Sequence, residues 1–167
     1  TEPPAGLGPR ALDAATIPPA PTAAGNPATH TVELWVAEQP VEVARGTTMS
    51  AWTFNGAVPG PLIRATEGDE LAIHLRNLGT RPHNFHLHGR HDVAEDGWEP
   101  IPPGGEATYH ITAGPFGLLP YHCDMTPAAD HIPHGLYGLM VVDPARRRPP
   151  AHEVALVLSG FDLDGDG

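Results

Sequence analysis

From His30 to about residue 145 the chain is a series of short apolar or alternating runs separated by turn residues. The runs read "TVELWVA" (31–37), "VEVA" (41–44), "AWTFNG" (51–56), "PLIRA" (61–65), "ELAIHLRNL" (70–78), "ATYHITA" (107–113) and "GLMVVD" (138–143). Alternation of this kind puts apolar side chains on one face of a strand. "NGAVPGP", "EGDE" and "PPGGE" supply the turns, and no stretch sustains a helical period. The pattern predicts an all-β fold, a Greek-key sandwich or barrel over residues 30–145.

The ends of the chain read differently. Residues 1–29 are mostly Pro, Ala and Gly without hydrophobic period, which predicts an extended or disordered lead segment. "DPARRRPP" (143–150) reads as a linker. "HEVALVLSGF" (152–161) reads as one more strand, so residues 146–167 are expected to lead out toward a second domain. In the final "DLDGDG", Asp162, Asp164, Asp166 and Gly167 match the first half of a calcium loop. The closing glutamate and flanking helices are missing, so the stretch is taken as a polar turn.

Charge narrows the partners. Nine basic residues, all arginine, stand against 20 acidic ones, for a formal net charge of −11. This argues against nucleic acid or an anionic membrane surface as the main partner. No apolar run is long enough to span a bilayer. The chain starts at Thr1 rather than Met, which fits a processed or trimmed polypeptide. A single cysteine excludes an internal disulfide framework. Eleven histidines are many for this length, and eight of them lie between His83 and His134.

That cluster carries the candidate chemistry. In "PHNFHLHG" (82–89), His86 and His88 are two apart and share a strand face. In "PYHCD" (120–124), His122 and Cys123 are adjacent and point to opposite faces. Two sites follow, joined through one peptide bond. The first takes Cys123, with His131 from the following loop and His83 from the other strand. Two imidazoles and one thiolate form a trigonal set that suits a blue-copper electron-transfer centre. Zinc is the competing metal, but a structural zinc site would want a fourth firm ligand. His134 is an alternative to His131.

The turn "HGLYG" returns the chain near Leu136, and Met140 lies about 13 Å further along an extended strand. Leu136 is therefore preferred at the axial position and Met140 as core, with Met125 as a loop alternative. An axial leucine offers no ligand, which favours the reduced metal and a raised potential. The second site takes His86, His88 and His122 and needs further ligands from a partner domain or subunit. A Cys–His nucleophile leaves the HxH pair unexplained. His74, His110 and His152 are read as ordinary strand residues, and His91 is undecided.

With these residues identified, the chain resembles the copper-binding cupredoxin domains of multicopper oxidases and copper nitrite reductases. The resemblance runs through most of residues 50–145: "FNGAVPGPLIRATEGDELAIHLRN", "PHNFHLHG", "PPGGEATYHI", "YHC" and "HIPHGLYGLMVVDP". It implies a cupredoxin-like fold with His83, Cys123 and His131 as type 1 copper ligands and Leu136 as a non-ligating axial residue. It also implies His86, His88 and His122 at a type 2 or type 3 copper centre between domains, with Cys123 and His122 as the electron-transfer bridge. "HLH" is similar to the oxidases, where nitrite reductases usually carry aspartate at the position of His86. Asp124 departs from the oxidases' His-Cys-His.

The leading expectation is the first domain of a two-domain, laccase-like oxidase. Such an enzyme takes electrons from a small-molecule or metal-ion donor and reduces dioxygen to water. The alternatives are a copper nitrite reductase, with nitrite as acceptor, and a non-enzymatic single-domain electron carrier. The resemblance further implies a homo-oligomer, possibly a trimer, in the periplasm or secreted. Asp92, Glu95, Asp96, Glu99 and Asp130 would favour cationic donors.

Overall fold

A computed structural model of the chain describes residues 17–19, 27–89, 99–146 and 148–163. His91, Asp92, Glu95, Asp96, the calcium-like Asp164, Asp166 and Gly167, and most of the lead segment lie outside the described residues. Eight strands run in chain order: β1 (Thr29–Ala44), β2 (Thr47–Phe54), β3 (Ile63–Thr66), β4 (Glu70–Asn77), β5 (His86–Leu87), β6 (Glu106–Thr112), β7 (Gly117–His122) and β8 (Tyr137–Asp143). A single helical turn, α1 (Ala128–His131), lies between β7 and β8.

Two four-stranded sheets pack together, ordered β2-β1-β4-β6 and β3-β8-β7-β5. The sequence treats residues 31–37 and 41–44 as separate strands. They form one long strand that changes partner at Val36. Its first half runs parallel to β4 and its second half antiparallel to β2. The segment 82–89 is less regular than its pattern suggests. Only His86 and Leu87 form a strand, and His83 makes an isolated bridge to Ile101.

Alternation decides the core. Leu71, Ile73 and Leu75 on β4 and Met140 and Val142 on β8 are buried, while their sequence neighbours reach the surface. Phe54, Phe85, Tyr109 and Tyr121 fill the space between the sheets with edge-on and stacked contacts. Gly138 admits the Tyr121 ring, which comes within 2.2 Å of where a Cβ would stand. The Tyr121 hydroxyl donates to the Pro61 carbonyl at 2.6 Å, which satisfies the one polar atom of a fully buried ring.

Residues 152–161, read from sequence as a further strand, form no ladder among the described residues. They alternate as a strand does, but their contacts with the described strands run through side chains rather than a backbone ladder. Glu153, Ser159 and Phe161 contact the domain. Val154, Leu156 and Leu158 face solvent at 81, 80 and 95% exposure.

Candidate metal centre

β7 ends at His122, and Cys123 is the first residue beyond it. Strand alternation carries Tyr121 and Cys123 inward and leaves His122 half-exposed between them. The Cys123 amide donates to the Leu136 carbonyl at 3.1 Å, and the Leu136 amide donates to the His131 carbonyl at 3.2 Å. The loop bearing His131 is thus folded back against the cysteine. His83 comes from the opposite side, held by paired backbone bonds with Ile101 at 3.1 and 2.8 Å.

The result is a buried trio in which His83, Cys123 and His131 place their donor atoms within 4.8 Å of one another. Both imidazoles turn Nδ1 to the sulfur: His131 Nδ1 lies 3.2 Å from Sγ and His83 Nδ1 3.7 Å. Ligands sharing one ion through bonds of about 2.0–2.3 Å stand roughly 3.5 Å apart, so the trio fits a single metal ion. Burial pushes the pKa of His83 down to about 4, and burial also lowers that of His131. Both rings are therefore neutral with lone pairs available for a metal. Burial raises the Cys123 thiol, so a cation must be present to stabilise the thiolate.

Asn84, which the sequence reading passed over, orders the sulfur. Its amide N–H points to Sγ at 3.5 Å, and its Oδ1 accepts from the Asp124 amide at 2.7 Å. The signal for it was its place directly after His83. Leu136 is fully buried beside the trio's loop. Met140 lies in the core, paired with Ile63 and Leu119, and Met125 packs at the core's edge. His134 sits outside the trio, stacked on Trp52 at 4.3 Å between ring centroids.

A second trio faces outward. His86 on β5 stands opposite His122 on β7 in register, and His88 follows two residues on. The three ring centroids are 5.0–5.1 Å apart, and one ring nitrogen of the His88–His122 pair donates to the other at 2.8 Å. Their donor atoms also fall within 4.8 Å of one another, but this site is half-exposed. Asp124 does not join it; its backbone is tied to Asn84 instead.

The chain is similar to proteins of known kind. A family model described as multicopper oxidase matches residues 35–147. A copper-containing nitrite reductase of Neisseria meningitidis is 32% identical over 80% of this chain and 36% of its own length. A multicopper oxidase of Mycobacterium tuberculosis is 37% identical over 68% of this chain and 23% of its own. Among solved structures, a multicopper oxidase superposes with a TM-score of 0.78 and 39% identity, covering 82% of this chain and 50% of that one. The copper nitrite reductase of Nitrosomonas europaea gives 0.65 and 42%, covering 70% and 42%. The chain therefore spans half or less of the length of these relatives.

Proposed function

The chain belongs to the multicopper oxidase family, and from that premise we propose that it is the electron-accepting copper domain of a laccase-like oxidoreductase. The observation that carries the proposal is the division of labour at His122–Cys123. Two adjacent residues fall in two different clusters of possible metal donors, one buried and one partly exposed. Copper would supply a one-electron couple in the closed set and, at the open set, a centre where dioxygen is reduced to water.

The chain's own residues account for the rest. His83, His131 and Cys123 hold three donors in a water-poor pocket. The Asn84 amide, aimed at the sulfur, stabilises its thiolate form. Leu136 lines the pocket without offering a ligand, which favours the reduced ion and a raised potential. The peptide between Cys123 and His122 is the shortest covalent link between the two sets.

The open set needs completion. A second cupredoxin domain or another subunit supplies the missing ligands in our reading, in a homo-oligomer such as a trimer, outside the cytoplasm. The solvent-facing Val154, Leu156 and Leu158 support a boundary near residue 145, with the segment beyond it pairing against that further domain. Glu99 and Asp130 are exposed acids on the described surface that favour a cationic donor. No helix among the described residues is long and apolar enough to cross a membrane.

A nitrite-reducing reading has one observation in its favour. Asp124 follows Cys123 where an oxidase usually has the second histidine of His-Cys-His. The outward His86 and the ligand-free Leu136 weigh against it. Oxygen uptake with a phenol or reduced-metal donor, measured beside nitrite consumption on the copper-loaded full-length protein, separates the two. The proposal expects oxygen uptake and no nitrite loss; the reverse overturns it.

A further inference from the structure

One ring touches both imidazoles of the buried trio. Trp52 sits near the end of β2 and is only 8% exposed. Its indole meets His131 edge-to-face at 4.8 Å and 77°, and His83 at 5.7 Å and 67°. His134 stacks on it at 17° between planes, and the Arg81 guanidinium lies over the ring, 5.1 Å from its centroid. The Trp52 amide also donates to the His134 carbonyl at 2.8 Å. Gly135 permits this closeness, since a Cβ there would come within 2.8 Å of the Trp52 carbonyl oxygen and 2.5 Å of Val58. Trp52 thus joins β2 to the loop carrying His131 and to the separate segment carrying His83.

His83 makes the ring's role specific. A metal-ligating histidine normally donates its second N–H to a carboxylate, carbonyl or water, and that bond fixes the ring plane. The second nitrogen of His83, Nε2, is buried and has no hydrogen-bond partner among the described residues. Its backbone is held by Ile101 and its Nδ1 faces the Cys123 sulfur, but no described polar group holds the far edge of the ring. Packing must orient it, and the neighbours that set its plane are Trp52 and His131, the latter at 5.2 Å and 73°. An aromatic edge and face prefer perpendicular contact because the ring face is negative and its edge positive. An aliphatic side chain has no such preference. Arg81 over the ring restrains the indole in turn.

We propose that Trp52 is a positioning residue for the buried site, setting the planes of His83 and His131 and so the geometry that a bound copper ion meets. The inference rests on the copper reading above. The test compares copper(II)-loaded native protein with Trp52→Leu, Trp52→Phe and His134→Ala. The readouts are the thiolate-to-copper absorption, the electron paramagnetic spectrum and copper affinity by chelator competition. Trp52→Leu is expected to shift both spectra and weaken copper(II) binding about tenfold, the lower end for loss of a group supporting a ligand. Trp52→Phe, which keeps an aromatic edge, restores most of the native spectrum. His134→Ala removes the stacked ring, together with its hydrogen bond to the Asp130 carbonyl, while leaving Trp52 in place, and gives a smaller shift in the same sense. It decides the matter if Trp52→Leu does not fold.

Native spectra and affinity in Trp52→Leu, with thermal stability alone reduced, overturn the inference, as does a native His134→Ala when the leucine variant cannot be made. Native protein lacking the thiolate band overturns the copper reading itself, and this inference with it.

Discussion

The two histidine sets share a peptide bond and little else. The buried set is held by this chain's own residues: two loops bring its donors together, the Asn84 backbone N–H points at its sulfur, the Leu136 backbone ties Cys123 to the His131 loop, and Trp52 packs against both imidazoles. The outward set is built on two paired strand ends and is partly exposed. Burial explains the contrast. Desolvation keeps His83 and His131 neutral and excludes competing water, so three donors suffice for a soft ion. The exposed imidazoles keep their interaction with solvent, and three of them do not define a coordination sphere. The first set is complete within the described domain; on the reading proposed above, the second is half of an interface.

The contrast can be broken from either side. The largest effect is expected from His122→Ala, which removes a ligand from the open set alone. Oxygen uptake by the copper-loaded full-length protein should be abolished, while the visible and electron paramagnetic signals of the buried copper persist. Loss of both signals would mean that the sets do not bind independently.

Asn84→Ala removes the bond from Oδ1 to the Asp124 amide and loosens the loop aimed at the sulfur. Chelator competition should show copper affinity at the buried site reduced about tenfold, with metal at the outward histidines unchanged. Leu136→Met sharpens the reading of the closed set. A thioether beside the metal stabilises the oxidised ion, so redox titration should find a lower reduction potential. An unchanged potential would place residue 136 away from the axial direction.

The smallest effect on either metal set is expected from Arg64→Met. Arg64 grips Asp143 through two hydrogen bonds at 2.6 and 3.1 Å, reaches Glu153 at 2.7 Å and donates to the Pro18 carbonyl at 2.9 Å. Its loss should lower stability by roughly 2 kcal/mol, for acceptors left short of a partner. That corresponds to about 4–8 °C in Tm for a chain of this size, with both metal sets intact. The effect depends on pH with a definite sign. The hydrogen bond from Arg64 holds the Asp143 carboxyl below its ordinary range. Its contribution is therefore complete above that range and lost as the pH falls through the depressed value. The gap between native and variant stability should close in acid.

Much of this was readable in the sequence because it depends on local spacing. Leu71, Ile73 and Leu75 announce their shared face by alternation alone. The adjacency of His122 and Cys123 announces two directions. What was not readable depends on contacts across the chain. Trp52 meets His134 over 82 positions of sequence, and no periodicity in "AWTFNG" foretells an indole lying against two imidazoles. Arg64 looked like an alternating strand residue, yet it ties both chain ends to the sheet. Residues 152–161 show the same limit from the other side. Their pattern is that of a strand leaving the domain, but a strand needs a neighbour, and among the described residues they join no ladder.

The central claim is that Cys123 anchors a closed copper site separate from the outward histidines. Titrating copper(II) into native and Cys123→Ser protein, with the visible spectrum recorded at each addition, tests it most directly. The account predicts an intense thiolate-to-copper band in the native protein that saturates at one copper per chain and is absent from the variant. It also predicts that the variant still binds copper through the outward histidines. Native protein that takes up copper without the band, or a serine variant that retains it, would contradict the account.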